Sequence, residues 1–188
     1  MERKQRFLGA FLSQGEMDIA GSGTDAVGDT MNGGKIYLHG DAGDAAGYAM
    51  WGGALYIRGN AGSRAGVHMK ATALLLIGGC AGPFLGEYQA GGTIVVLGLG
   101  SSEPLPGPSA CAGMHGGRIF LRGSIEKSEL SAHVAIHAAT AEDMRFVMPH
   151  LENASQRFGW DLAEVLSIPF TVLTPQTHRP YKTMYTAI

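Results

Sequence analysis

Glycine recurs in this chain on a nineteen-residue beat, and that beat decides what the chain can become. Gly21, Gly40, Gly59 and Gly78 are nineteen residues apart each time, and Gly98 and Gly123 continue the series at spacings of 20 and 25. Residues 21–123 hold 26 of the 29 glycines, so the chain has two compositions. The clearest unit, GDAGDAAGYAMWGGALYIRG, runs from Gly40 to Gly59. Its neighbours align with it in columns. One column is Met31, Met50, Met69, Gln89 and Met114; three residues earlier stand Gly28, Gly47, Gly66, Gly86 and then Cys111. Alternating apolar pairs complete each unit: Ile36/Leu38, Leu55/Ile57, Leu74/Leu76, Ile94/Val96 and Ile119/Leu121. Met17 and Ile19 bear the same relation to Gly21, which makes five full units and a leading fragment.

An apolar-x-apolar pair is a short strand with one face inward. The glycine pairs just before it, such as Gly33-Gly34 and Gly52-Gly53, suit a tight corner with positive φ or a close backbone approach. One such unit buries nothing by itself, but stacked copies bury a continuous apolar column. The pattern predicts an all-β fold, a parallel β-helix with one coil per unit. Helical repeats are excluded, because each helix-interior glycine costs about 1 kcal/mol relative to alanine. Leucine-rich repeats lack their leucine–asparagine spine here.

Departures from the repeat mark candidate positions. Ala71-Thr72 stands where other units have two glycines, so that corner is expected to be reshaped. The next unit reads as carrying one extra residue between Gly78 and Gly82, and the last as carrying six between Gly98 and Gly107. Insertions of this kind map to loops on one face of a solenoid.

Beyond Gly123 the periodicity stops. The chain divides into an N-terminal cap segment (1–14), the glycine-rich β-helix (15–123), and a helical cap with an extended C-terminal arm (124–188). Residues 131–139 read as one more strand or a transition. Thr140 caps a helix whose apolar face is Met144, Val147, Met148, Leu151, Ala154 and Phe158. Pro149 is expected to kink or divide that helix. Gly159 stops it, and Asp161 caps a short second helix through Leu166. Open β-helix ends need cover, which is the expected role of the helix.

Composition narrows the function. With 14 basic and 16 acidic residues the net charge is −2, which argues against a nucleic-acid binder. No run of eighteen apolar residues points to a membrane, and residues 7–12 are too short for the apolar region of a signal peptide, so a cytoplasmic setting is expected. Cys80 and Cys111 form neither a CxxC pair nor a cluster. Gly34-Lys35 fails the phosphate-loop pattern. His133 and His137 lack a third metal ligand in the sequence. Asp25 and Asp44 occupy equivalent places in adjacent coils and would stack; solvated turn aspartates describe them better than a calcium or acid–base site. No basic neighbour activates Cys111, and the Asn153-Ala154-Ser155 glycosylation pattern falls in a helix. The sequence assigns no catalytic, cofactor-binding or metal-binding residue, and it reads as a scaffold.

The recurring GxxGxxxGxxMxGGxIxxxG over about residues 15–123 resembles the glycine-rich (GXGXG) β-helix domain at the C-terminal end of the glutamate synthase large subunit. The glycine-rich subunit of formylmethanofuran dehydrogenase is in the same family. The tail PFTVLTPQTHRPYKTMY is similar to the end of stand-alone forms of the domain. The resemblance implies a right-handed parallel β-helix with a structural role, seated between a glutamine amidotransferase part and a synthase part that carries FMN and an iron–sulfur cluster. It implies no catalytic residue in this chain and no cofactor bound by it. The partners would then be separate amidotransferase-like and flavin/iron–sulfur synthase-like chains, in a complex making glutamate or a related N-substituted amino acid. Alternatives are the corresponding glycine-rich subunit of a formylmethanofuran dehydrogenase or formyltransferase/hydrolase complex, and a polysaccharide-acting β-helix enzyme using Asp25 and Asp44.

Overall fold

The computed structural model describes residues 6–100, 105–131 and 133–177. Its spine is a parallel β-solenoid to which each coil contributes one main strand. The strands are β1 (Glu16–Ile19), β2 (Asn32–Leu38), β3 (Gly52–Ile57), β4 (Leu74–Ile77), β5 (Ala90–Val96) and β6 (Gly116–Arg122). Each pairs in parallel with the next. Register stacks Ile36, Leu55, Leu75, Ile94 and Ile119 in one row, and Leu38, Ile57, Ile77, Val96 and Leu121 in another. All ten are buried, together with the methionine column. Gln89 takes a methionine's place in that column and is fully buried. Its amide donates to the carbonyls of Gly91 and Gly92 at 3.0 and 3.3 Å, which ties down the next corner.

In the third unit the register corrects the expected pair. The inward residues are Leu75 and Ile77, not Leu74 and Leu76, because a shift of one residue exchanges the faces of a strand. The extra residue of this part of the chain lies in the 70–73 corner rather than between Gly78 and Gly82. Ala61 bridges Ala81 as Ala42 bridges Ala61, and the Gly79 amide donates to the Gly59 carbonyl at 2.9 Å. Gly79 is therefore the coil equivalent of Gly59. The corner is reshaped as the missing glycines imply, with Ala71 at φ +48°. The six-residue insertion falls between Gly98 and Gly107, where Leu99 and Leu105 both pack against buried clusters; residues 101–104 lie outside the described residues.

Opposite the strands, each coil turns through three left-handed residues at alternate positions. In successive coils these are Ala26/Gly28/Thr30, Ala45/Gly47/Ala49, Arg64/Gly66/His68 and Phe84/Gly86/Tyr88. The middle member faces the core: a Cβ on Gly66 would sit 2.4 Å from Ile94 Cδ1. That explains why glycine recurs there while the flanking places vary.

After the last coil the chain makes a single 3-10 turn (Lys127–Glu129), then β7 (Val134–Ala138), α1 (Ala141–Phe158), α2 (Leu162–Leu166) and β8 (Phe170–Pro175). The sheet order is β1-β2-β3-β4-β5-β6-β8-β7, with β8 antiparallel to both β6 and β7. These two strands close the edge of β6. The helix therefore has a different seat from the expected one: it covers the sheet's outer face rather than the end of the solenoid. Val147, Leu151, Ala154 and Phe158 pack on Tyr37, Tyr56, Leu76, Val95 and Phe120. Each large side chain buried here contributes about 1.5–3 kcal/mol.

Thr140 and Asp143 form a reciprocal capping box, and Gly159 ends α1 in the left-handed conformation at φ +72°. Pro149 does not divide the helix, which runs on through it; the contacts of its buried face span both sides of the proline. Asp161 caps α2 by accepting from the Ala163 amide at 2.9 Å.

Candidate functional site

The polar groups of this chain converge where α1 crosses the sheet. Tyr37 and Tyr56 hold outward positions on β2 and β3, directly in register. The Tyr37 hydroxyl donates to Asn153 Oδ1 at 2.8 Å, and the Tyr56 hydroxyl meets His150 Nδ1 at 3.2 Å. Burial, then the neighbouring Tyr37, pushes the Tyr56 hydroxyl well above the usual tyrosine range, so it stays protonated and serves as the donor. Burial, then the charge of Lys35, lowers His150, and a neutral imidazole whose Nδ1 accepts from the Tyr56 hydroxyl carries its proton on Nε2.

Nearer β1, Arg157 binds Glu16 and sits 3.1 Å from Asp18 Oδ2, with its guanidinium over the Tyr37 ring at 4.2 Å. His39 Nε2 lies 2.7 Å from the other Asp18 oxygen. Between helix and strands run two adjoining pockets of about 390 Å³ each, which share Lys35 and Asn153.

A second surface follows the left-handed corners. Phe7, Phe11, Tyr48, Trp51 and Tyr88 are exposed there, Phe11 most of all at 73%. His68 stacks on Tyr88, Lys70 lies over Trp51 at 4.9 Å, and Arg64 lies over Phe84 while facing Glu87 at 3.6 Å. Aromatic side chains with arginine are the composition of protein-contact surfaces.

The residues singled out in the sequence have other work. Asp25 and Asp44 do stack, and their carboxylates accept from backbone amides of the next coil: Asp44 N to Asp25 Oδ1 at 3.2 Å, Ser63 N to Asp44 Oδ1 at 2.8 Å. A parallel ladder runs from Ser22 through Asp41 and Asn60 to the Cys80 amide. These carboxylates satisfy turn amides of the following coil. His133 precedes β7 and His137 lies on it, with His137 3.4 Å from Asp143. Among the described residues no three histidine, cysteine or acidic side chains group to hold a metal ion. Cys111 is buried in the left-handed conformation, and burial pushes its thiol up to about 12. Asn153 belongs to the helix–sheet contact.

Sequence reasoning missed Tyr37, Tyr56, His150 and Lys35. The signal was present: IYL, LYI, LLLI, IVV and IFL are apolar or aromatic at outward as well as inward positions, which marks a sheet covered on both faces.

The glycine-cornered coils, inward methionine column and flanking helix define a glycine-rich parallel β-solenoid domain. The family model described as "GXGXG motif" matches residues 5–174, and the chain belongs to that family. The glutamate synthase-related domain is of this family. A protein of Methanocaldococcus jannaschii described as uncharacterized is 36% identical over 119 residues, covering 60% of this chain and 46% of that relative. The chain thus spans less than half the length of the curated relative it matches. Among the described residues no helix is long and apolar enough to cross a membrane.

Proposed function

We propose that this chain is a non-catalytic scaffold subunit of a multisubunit glutamate-synthase-like complex in the cytoplasm. It would sit between a glutamine amidotransferase-like chain and a synthase-like chain carrying FMN and an iron–sulfur cluster. The observation that carries the reading is the GXGXG match across residues 5–174, which takes in both the coils and the C-terminal helix and strands. The corner surface of Tyr48, Trp51, His68 and Tyr88 supports it, because aromatic side chains held rigidly on a solenoid make contact area at little conformational cost.

Gentle affinity purification of the tagged full chain from its own cells, with mass spectrometry and an absorbance spectrum, tests this. Co-purification of amidotransferase and flavin/iron–sulfur chains with a flavin band is the expected result. Molybdopterin-enzyme or amidohydrolase partners would move the chain to the formylmethanofuran complexes. A colourless, solitary protein would overturn the scaffold reading.

A further inference from the structure

We propose that the groove between α1 and the glycine corners binds a small organic monocarboxylate, with Lys35 as its counter-ion. Ala54, Leu74 and Thr93 follow Lys35 across the sheet in strict register and make a floor of small and apolar groups. Phe146, Pro149 and His150 form the helical wall. The volume of about 390 Å³ lies within the range of small-molecule sites, and an apolar floor with few polar groups is their usual composition.

Charge selects the ligand. Among the described residues no carboxylate lies within ion-pair distance of Lys35; Glu16 is its register partner on β1, but that carboxylate is engaged by Arg157. Of the remaining polar groups, the Thr72 and Thr93 hydroxyls can donate or accept, and Asn153 and His150 present donors. Asn153 Oδ1 is taken by the Tyr37 hydroxyl, which leaves its amide hydrogens, and His150 with Nδ1 facing Tyr56 carries its proton on Nε2. One cation, the neutral donors of Asn153 and His150, two threonine hydroxyls and a hydrocarbon-sized floor match a single carboxylate on a short apolar body. Phosphate, with more charge and no apolar part, matches less well.

The isotope-labelled full chain would be titrated with butyrate and followed by its amide and imidazole resonances. Inorganic phosphate and 1-butanol serve as separate arms at matched ionic strength. Butyrate is expected to shift the Gly53, Ala54, Leu74 and Asn153 amides saturably, and to raise the pH at which His150 titrates by offsetting the field of Lys35. In Lys35→Ala, binding should weaken about ten-fold or more, and the butyrate-dependent change at His150 should disappear. Saturation by phosphate but not butyrate would overturn the carboxylate assignment, and by butanol alone would overturn the role of Lys35. Absence of saturable shifts in this groove would overturn the site.

Discussion

Tyr37 and Tyr56 lie face to face on adjacent coils, with ring centroids 4.9 Å apart and planes 7° from parallel, and each hydroxyl reaches a different residue of one helix. Asn153 and His150 are three residues apart, a rise of about 4.5 Å, while adjacent strands are about 4.8 Å apart. The rise of α1 over three residues therefore matches the spacing of the coils it crosses. Replacing Tyr56 by Phe removes a donor and strands a half-buried imidazole nitrogen, at a cost of about 1–2 kcal/mol. For a chain of this size that lowers the melting midpoint by about 2–4 °C per kcal/mol. An unchanged midpoint in Tyr56→Phe would mean that the Tyr56–His150 hydrogen bond adds nothing to the seat of the helix.

Two acid-side losses of stability are expected, in separate pH windows. His150 has a lowered folded pKa, so the unfolded chain takes up the proton first, and stability falls as pH drops through about 6.5 toward the folded value. Asp143 is held below 3.8, chiefly by its hydrogen bonds to Thr140, so its contribution is lost at still lower pH. Denaturant titrations across pH should show the upper step vanish in His150→Gln and the lower one shrink in Thr140→Ala. The second variant also loses about 1 kcal/mol at neutral pH with its cap.

Opposite outcomes are expected for two corner substitutions. Gly53 has φ +75°, and a Cβ there would lie 2.5 Å from the Gly33 carbonyl oxygen. Gly53→Ala should cost at least about 2 kcal/mol, since strain and backbone collision add. Ala71 holds φ +48°, so Ala71→Gly should stabilise by about 0.5–1 kcal/mol once the unfolded chain's added freedom is counted. Chemical denaturation of both variants reads the sign directly.

The two thiols should separate kinetically. Cys111 is buried with its thiol pushed up to about 12, whereas Cys80 is partly exposed. Alkylation at pH 8 of the folded chain should label Cys80 and spare Cys111 until denaturant is added. Equal labelling rates would show that the last coil opens readily.

Much of this architecture is legible in the residues. Gly47 and Gly66 in one column, and Ile57 and Val96 in another, predict coils because each repeat places the same demand on φ and on burial. Thr140, Gly159 and Asp161 predict helix ends for local reasons, and the structure follows them. The register of the third unit is not legible in this way. Leu74, Leu75, Leu76 and Ile77 are all apolar, so period-two alternation vanishes just where the extra residue must be placed. Pro149 fails as a helix breaker because packing outweighs one missing hydrogen bond. The groove needs tertiary information of another kind: no local pattern brings Lys35 to His150, which lie more than a hundred residues apart.

The corner at residues 70–73 works as an expansion joint. It takes up one surplus residue between Met69 and Leu74, and the strands on either side stay in step with their neighbours. Had the same residue entered β4, every side chain beyond it would have changed face. Length variation in such a chain is thus free at the bends and forbidden in the rows, and a solenoid of this kind can drift in size by single residues while its core keeps time.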